Sequence, residues 1–169
     1  MTGLQAAVPP AIGVAGPSDS GKTTLICRLV EHFSARGWRV AVVKHSHHAG
    51  WGMAPEMARR LHRTGVAAAG WWGPGWLQAT VFPQGEPALD EVLALLAPEA
   101  DLILVEGYKS GGLPKIALID PRQPDLMPPY PHLIALVSPM PSASALPVFA
   151  PEEIGALARF ISRYAGLER

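Results

Sequence analysis

The chain has 169 residues, the length of one ordinary domain, and Lys plus Arg and Asp plus Glu each number 14. This balanced charge gives no support for binding to nucleic acid or to a membrane surface, so we expect a small-molecule or protein partner. The single Cys27 excludes an internal disulfide, and residues 1–10 lack the features of a secretory signal. The lack of a secretory signal leads us to expect a cytoplasmic protein. No apolar stretch reaches the ~20 residues of a membrane-spanning helix, so we also expect it to be soluble.

A glycine-rich segment that fits the pattern GxxxxGK[ST] lies near the start of the chain, from Gly16 to Thr23. It follows an apolar run at residues 11–15 and precedes a helix-forming stretch, as a phosphate-binding loop does. Such a loop turns its N–H groups toward an anion, and the following helix adds the positive end of its dipole. We therefore expect a nucleoside triphosphate here, bound by Gly16, Ser18, Asp19, Ser20, Gly21, Lys22, Thr23 and Thr24.

Two side chains of this loop have distinct expected roles. Lys22 would reach the β- and γ-phosphates as a mobile charge, while the Thr23 hydroxyl would ligate Mg²⁺ at the start of the helix. Thr24 follows on the helix, where a surface or packing position is the alternative to nucleotide contact.

The rest of the chain alternates strands and helices. Apolar periodicity predicts a helix over residues 21–36, a terminal helix that opens at 151–153, and strands at 39–43, 101–105, 132–137 and 146–149. A short helix over 55–64 and a Trp-rich β-hairpin over 66–82 interrupt this alternation. The predicted fold is α/β: a single phosphate-loop (P-loop) NTPase-type domain over residues 1–169, three-layered, with a mostly parallel sheet flanked by helices and the inserted hairpin.

Glu106 follows the apolar run of residues 102–105, at the carboxyl end of a predicted central strand. Ligands bind at this edge of open α/β sheets. A carboxylate there can hold Mg²⁺ through a water or orient an attacking water, so we predict that Glu106 is both a metal and a catalytic residue. The alternative is a solvated glutamate at the end of a strand.

Several basic and aromatic groups are further candidates for ligand contacts. Lys44 and His45 end the second strand and are predicted to contact the nucleotide, whereas a transition-metal site or plain solvation are alternatives for the histidines at 45, 47 and 48. The arginines at 59, 60 and 63 could clamp a phosphate or form the polar face of a helix. Lys109 and Lys115 flank Gly111-Gly112 in a loop that could contact an anionic ligand. The tryptophans at 71, 72 and 76 fill a core or an interface, or stack on a base or pterin.

Four segments together resemble the molybdopterin-guanine dinucleotide biosynthesis adapter protein B family: the phosphate loop, Val42 to His48, Asp101 to Lys109 and Pro114 to Ile116. The resemblance covers most of the chain. It implies a small GTP-binding protein, usually a homodimer with an added hairpin, that assists the guanylyltransferase attaching GMP to molybdopterin. By this resemblance the loop residues 21–23 bind GTP and Mg²⁺, Glu106 serves the metal or the water, and the hairpin is a dimer surface. Molybdopterin is a further candidate ligand.

The chain also departs from the family pattern. Residues 54–58 read Ala-Pro-Glu-Met-Ala where the family commonly has Pro-Gly-Lys-Asp followed by Ser or Thr, so Met57 and Ala58 replace an acidic and a hydroxyl residue. Pro139 stands where an Asp is common, and we therefore expect GTP hydrolysis to be slow or missing. No Asn-Lys-x-Asp signature is present, so the preference for guanine follows from the resemblance only. A small P-loop kinase and a nucleotide-gated metallochaperone are the alternative functions.

Overall fold

A computed structural model describes residues 8–45, 56, 60, 61, 63–120, 122, 128–142 and 144–167. The chain forms two compact units, one made of residues 1–46 and 93–169 and the other of residues 47–92. In the described ranges, no helix is both long enough and apolar enough to cross a membrane.

The described elements begin with a βαβ unit and end with a helix. They are β1 (Ala11–Ala15), α1 (Lys22–Ser34), β2 (Val40–Lys44), β3 (Ala68–Gly73), β4 (Trp76–Val81), α2 (Leu89–Leu96), β5 (Leu102–Glu106), β6 (Lys115–Leu118), β7 (Leu133–Val137), β8 (Val148–Phe149) and α3 (Ile154–Tyr164).

The first unit is built on a parallel sheet. Among the described residues it contains six strands in the order β2-β5-β1-β6-β7-β8, and every neighbouring pair is parallel. Because the strands are parallel, the segments that follow β1, β2 and β5 all lie at one edge of the sheet. The predicted α/β fold is confirmed.

One face of this sheet packs against α1 and α3. Ile12, Leu104 and Ile116 of the sheet share a buried cluster with Leu29 of α1 and Leu157 of α3, and each of these side chains is at most 1% exposed. The strand β5 is buried along its whole length because the chain covers both of its faces. Glu106 continues the alternation of Leu104 and therefore lies on the face that α1 covers.

Two elements of the structure were not predicted. The strand β6 has only four residues and begins at a charged residue, Lys115, directly after a proline. The helix α2 has eight residues, six of which are apolar, and Leu93 is its buried residue. Half of the predicted helix over 55–64 lies outside the described residues, and of the described ones 56, 60 and 61 are helical.

The second unit contains the predicted hairpin. Strands β3 and β4 are antiparallel, Gly73 pairs with Trp76, and the two-residue turn between them ends at Gly75 with φ of 79°. Trp72 lies directly opposite Leu77, and paired residues of a hairpin share a face. The residues on the face of Trp72 and Leu77 are all exposed and all apolar: Ala68, Gly70, Trp72, Leu77, Ala79 and Val81. We call these six residues the apolar hairpin face.

Candidate functional site

The predicted phosphate loop connects β1 to α1 in the structure. A Cβ atom at Gly16 would lie 2.8 Å from Ser20 Oγ and 3.2 Å from Leu118 Cβ, so the loop closes only because this residue is glycine. Gly21 has φ of 88° and immediately precedes the first residue of α1. Asp19 also has a positive φ, of 57°, so the backbone of the loop turns tightly before the helix.

The side chains of this loop are arranged around its centre. Lys22 donates a hydrogen bond from Nζ to the Pro17 carbonyl, so its ammonium group folds back over the loop. The hydroxyl of Ser20 is buried and has no hydrogen-bond partner within the part of the chain that the structure describes. An unpaired buried hydroxyl beside a helix N-terminus fits a phosphate oxygen as its partner. The predicted contacts Ser18, Asp19 and Thr24 are exposed.

Charged side chains of neighbouring elements act on the ammonium group of Lys22. Burial lowers the pKa of Lys22 below its ordinary value, and the charges of Lys109 and Lys44 act in the same direction, whereas Glu106 and Asp19 raise it. Lysines at positions 22, 44 and 109 therefore form one cationic region at the end of the sheet. Such a region favours an anionic ligand.

Glu106 is held by residues on both sides. Thr23 donates its hydroxyl hydrogen bond to Glu106 Oε2 at 2.8 Å, and Lys44 Nζ lies 3.0 Å from Oε1. The strand register explains this meeting, because Glu106 of β5 pairs with Val14 of β1 on one side and with Lys44 of β2 on the other. The three strands thus bring together residues that are far apart in the sequence.

The protonation of Glu106 suits a cation site. Its burial would raise the pKa of the carboxyl, but the hydrogen bonds from Lys44 and Thr23 and the charges of Lys44 and Lys22 together lower it below its ordinary value. Glu106 is therefore ionised at neutral pH. Because the Thr23 proton is donated to Glu106, the oxygen lone pairs of Thr23 stay available, and this hydroxyl–carboxylate pair is an oxygen donor set that fits Mg²⁺.

The segment after Glu106 packs against the end of β2. Gly107 has φ of 88°, and a Cβ there would lie 3.1 Å from the His45 carbonyl oxygen. The His45 ring meets the Tyr108 ring edge to face, with centroids 5.3 Å apart. The Lys109 ammonium lies 5.7 Å from the centroid of the Tyr130 ring. His45 is therefore packed against an aromatic ring next to Lys44, and its contact with a nucleotide stays a prediction.

The expectation that Lys115 contacts an anionic ligand from a loop is wrong. Lys115 is the first residue of β6 and its side chain is completely buried. Its ammonium donates to three backbone carbonyls among the described residues, those of Gly111, Leu113 and Pro131. The sequence could not indicate this role, since the carbonyls belong to two separate loops.

The metal alternative for the histidines finds no support among the described residues, where no three His, Cys, Asp or Glu side chains form a group that could hold a metal ion. His47 and His48 lie outside the described residues. Arg59 does too, whereas Arg60 is part of a helical segment and Arg63 of a turn, so the predicted arginine clamp stays a prediction.

The parallel sheet, the glycine-rich loop at the start of α1 and the carboxylate at the end of β5 define the class: this is a protein with a P-loop NTPase-type fold. The comparisons with known proteins give the family. The family described as "Molybdopterin guanine dinucleotide synthesis protein B" (MobB) matches residues 11–139. The chain belongs to this family, as its sequence resemblance indicated.

Named relatives agree with this assignment. The chain is 33% identical over 135 residues to the molybdopterin-guanine dinucleotide biosynthesis adapter protein of Haemophilus influenzae, covering 73% of this chain and 69% of that protein. It is 30% identical over 159 residues to the Escherichia coli protein of the same name, covering 90% and 91%. The crystal structure of Bacillus subtilis MobB superimposes with a TM-score of 0.75 at 27% identity, covering 91% of this chain and 97% of that one.

Proposed function

We propose that this protein is a GTP-binding accessory protein of molybdopterin-guanine dinucleotide biosynthesis, which assists the guanylyltransferase that attaches GMP to molybdopterin. Membership of the family and the names of the relatives support the pathway. The single observation that carries the nucleotide part is the phosphate loop, with Gly16 and Gly21 in the required conformations and the unpaired hydroxyl of Ser20 inside it.

Different residues of the site would contact different parts of the nucleotide and its metal ion. The backbone of residues 16–23 would surround the phosphates, and Lys22 would leave the Pro17 carbonyl to contact the β- and γ-phosphates. Thr23 and Glu106 would hold Mg²⁺, which neutralises phosphate charge when bound. The guanine specificity and a role for molybdopterin as a second ligand are proposed from the family only.

We also propose that this protein hydrolyses GTP slowly or not at all. Glu106 is the described carboxylate placed to orient a water at the nucleotide, but it already accepts from Thr23 and Lys44. A carboxylate whose pKa is lowered by these contacts is a weak proton acceptor. We therefore expect GTP to be held rather than consumed, with the partner enzyme performing the chemistry in the cytoplasm.

The apolar hairpin face is a candidate surface for binding another protein, and we propose that it binds a second copy of this chain. Trp72 is 80% exposed and Leu77 75% exposed, although large apolar patches are rare on the surfaces of isolated proteins. A two-stranded sheet by itself is only marginally stable. Pairing two such faces would bury both and contribute to the stability of the hairpin.

A guanylyltransferase assay tests the accessory function. Formation of molybdopterin-guanine dinucleotide by the pathway enzyme is measured at limiting GTP, with and without this protein. We expect the wild type to raise the yield and Lys22→Ala to lose most of that gain, because Lys22 would contact the phosphates. An exposed arginine in the turn after α1 provides the matched control, Arg36→Ala, which should act like the wild type. Equal yields with and without the wild-type protein would contradict the accessory role.

Oligomeric state tests the apolar hairpin face. Sedimentation should give twice the chain mass for the wild type and a single-chain mass for Trp72→Ser, since that side chain lies on the face. The matched variant Trp76→Ser alters a tryptophan on the opposite side of the hairpin and should leave the dimer intact. A wild-type protein that sediments as a single chain refutes the dimer.

A further inference from the structure

We propose that Lys44 is the residue that controls metal entry to this site: its ammonium group neutralises Glu106, and a divalent cation must displace it to bind that carboxylate. The inference rests on the proposed function, because it concerns the same site. It adds a competition between two cations for one carboxylate.

The geometry that carries the inference is the ion pair of Lys44 with Glu106. Lys44 Nζ lies 3.0 Å from Glu106 Oε1, while the other carboxylate oxygen, Oε2, accepts from Thr23. Both oxygens of Glu106 are therefore engaged. A divalent cation ligated by Thr23 and Glu106 would lie beside the Lys44 ammonium, where the repulsion between two positive charges disfavours simultaneous binding.

The other lysines near Glu106 have different partners. Lys22 Nζ donates to the Pro17 carbonyl, and Lys109 Nζ lies over the Tyr130 ring. Lys44 is thus the lysine that touches the carboxylate among the described residues, although the charge of Lys22 also acts on it. Removing Lys44 therefore changes the direct partner of Glu106, whereas removing Lys109 changes only the surrounding charge.

Lys44 is also placed so that it can leave. Its side chain is 66% exposed, whereas that of Glu106 is only 8% exposed, so the lysine can swing into water while the carboxylate stays in position. The backbone on either side is fixed, because β2 pairs with β5 and the His45 N–H donates to the Glu106 carbonyl at 3.0 Å. The displacement is a side-chain rotation.

This arrangement links metal binding to the arrival of an anion. Without a phosphate ligand, the displaced ammonium loses its partner and exchanges it for water. When a nucleotide is present, its phosphate oxygens offer the displaced ammonium a new anionic partner. A divalent cation should therefore bind weakly alone and more readily together with nucleotide.

The experiment measures Mn²⁺ binding to the full chain without nucleotide, by the electron paramagnetic resonance signal of free Mn²⁺. We expect Lys44→Gln to bind Mn²⁺ about fivefold more tightly than the wild type, a modest factor because the lysine of the ion pair is exposed to solvent. Lys44→Arg keeps the positive charge and should bind as weakly as the wild type. Lys109→Gln controls for the general charge of the region and should change the affinity by less than Lys44→Gln.

Two results would overturn the inference. One is an unchanged Mn²⁺ affinity in Lys44→Gln; the other is a gain that persists in the double variant Lys44→Gln/Glu106→Gln, since the gain must depend on that carboxylate. Neither measurement uses nucleotide, so both remain decisive if GTP fails to bind. Failure of the proposed function would appear separately, as a lack of GTP binding by the wild type.

Discussion

Lys115 provides the sharpest stability prediction of this fold. Its ammonium is buried with no carboxylate in contact with it among the described residues, and it donates to the carbonyls of Gly111, Leu113 and Pro131. The first two belong to the segment that follows Glu106, and the third precedes β7. Replacing Lys115 by Met keeps most of the side-chain volume but removes all of these donors.

The magnitude follows from two opposing terms. Leaving a buried carbonyl without its donor costs about 1–3 kcal/mol, but losing the ammonium also removes the cost of burying a charge. We expect a net loss of about 2–4 kcal/mol in the free energy of unfolding, which for a domain of this size corresponds to a fall in Tm of roughly 5–15 °C. Urea unfolding with a tyrosine and tryptophan fluorescence signal measures it.

Gly13 provides an independent test of the same packing. A Cβ at Gly13 would lie 2.9 Å from Lys115 Cγ, so Gly13→Ala should cost about 1–3 kcal/mol in the wild-type background. In a Lys115→Ala background that Cγ is missing, so the same change should cost much less. Equal costs of Gly13→Ala in the two backgrounds, or a Lys115→Met protein as stable as the wild type, would refute this account.

The pH dependence of the Lys115 contribution has a definite sign. Burial lowers the pKa of Lys115 in the folded protein below its ordinary value of 10.5. Between the folded and unfolded values the unfolded chain binds more protons, so the stability contributed by this residue rises with pH in that range. The difference in unfolding free energy between wild type and Lys115→Met should therefore grow as pH rises toward 10.5, and a difference that shrinks there would contradict the assignment.

Three further predictions concern the site and the core. Gly107→Ala combines φ of 88° with a Cβ 3.1 Å from the His45 carbonyl, so it should destabilise the protein by about 1–3 kcal/mol in a urea titration, and an unchanged midpoint would contradict the contact. Leu29→Ala removes a completely buried side chain under the sheet and should cost about 2–5 kcal/mol, whereas the exposed Leu95→Ala should cost far less; similar losses would contradict the packing. Removing Mg²⁺ with a chelator should reduce the thermal stabilisation by GTP in the wild type but hardly in Glu106→Gln, and the same loss in both would exclude Glu106 from the metal site.

The parts of the site that depend on local sequence could be predicted. The phosphate loop is a continuous segment whose glycines are needed by its own backbone, so its pattern indicates its conformation. Glu106 could be placed because an apolar run marks a central strand and its end marks the ligand-binding edge. The helices over 22–34 and 154–164 were predicted for a similar reason, since each places apolar residues at helical spacing.

The remaining features depend on which strands become neighbours. The ion pair between Lys44 and Glu106 exists because β2 lies beside β5 in one particular register, which no local pattern specifies. Lys115 was misassigned because a lysine after a proline and two glycines is typical of an exposed loop. Its buried position requires the bare backbone of Gly13 on the neighbouring strand β1.

The most direct test of the central claim is GTP binding at the phosphate loop, measured as the rise in Tm with Mg²⁺ and nucleotide. At a GTP concentration of one hundred times Kd we expect stabilisation by about 2.7 kcal/mol, or a rise of roughly 5–10 °C, with a much smaller rise for ATP. Lys22→Ala should abolish the rise and Arg36→Ala should retain it. A full rise in Lys22→Ala would contradict nucleotide binding at this loop, and equal rises with GTP and ATP would contradict the preference for guanine.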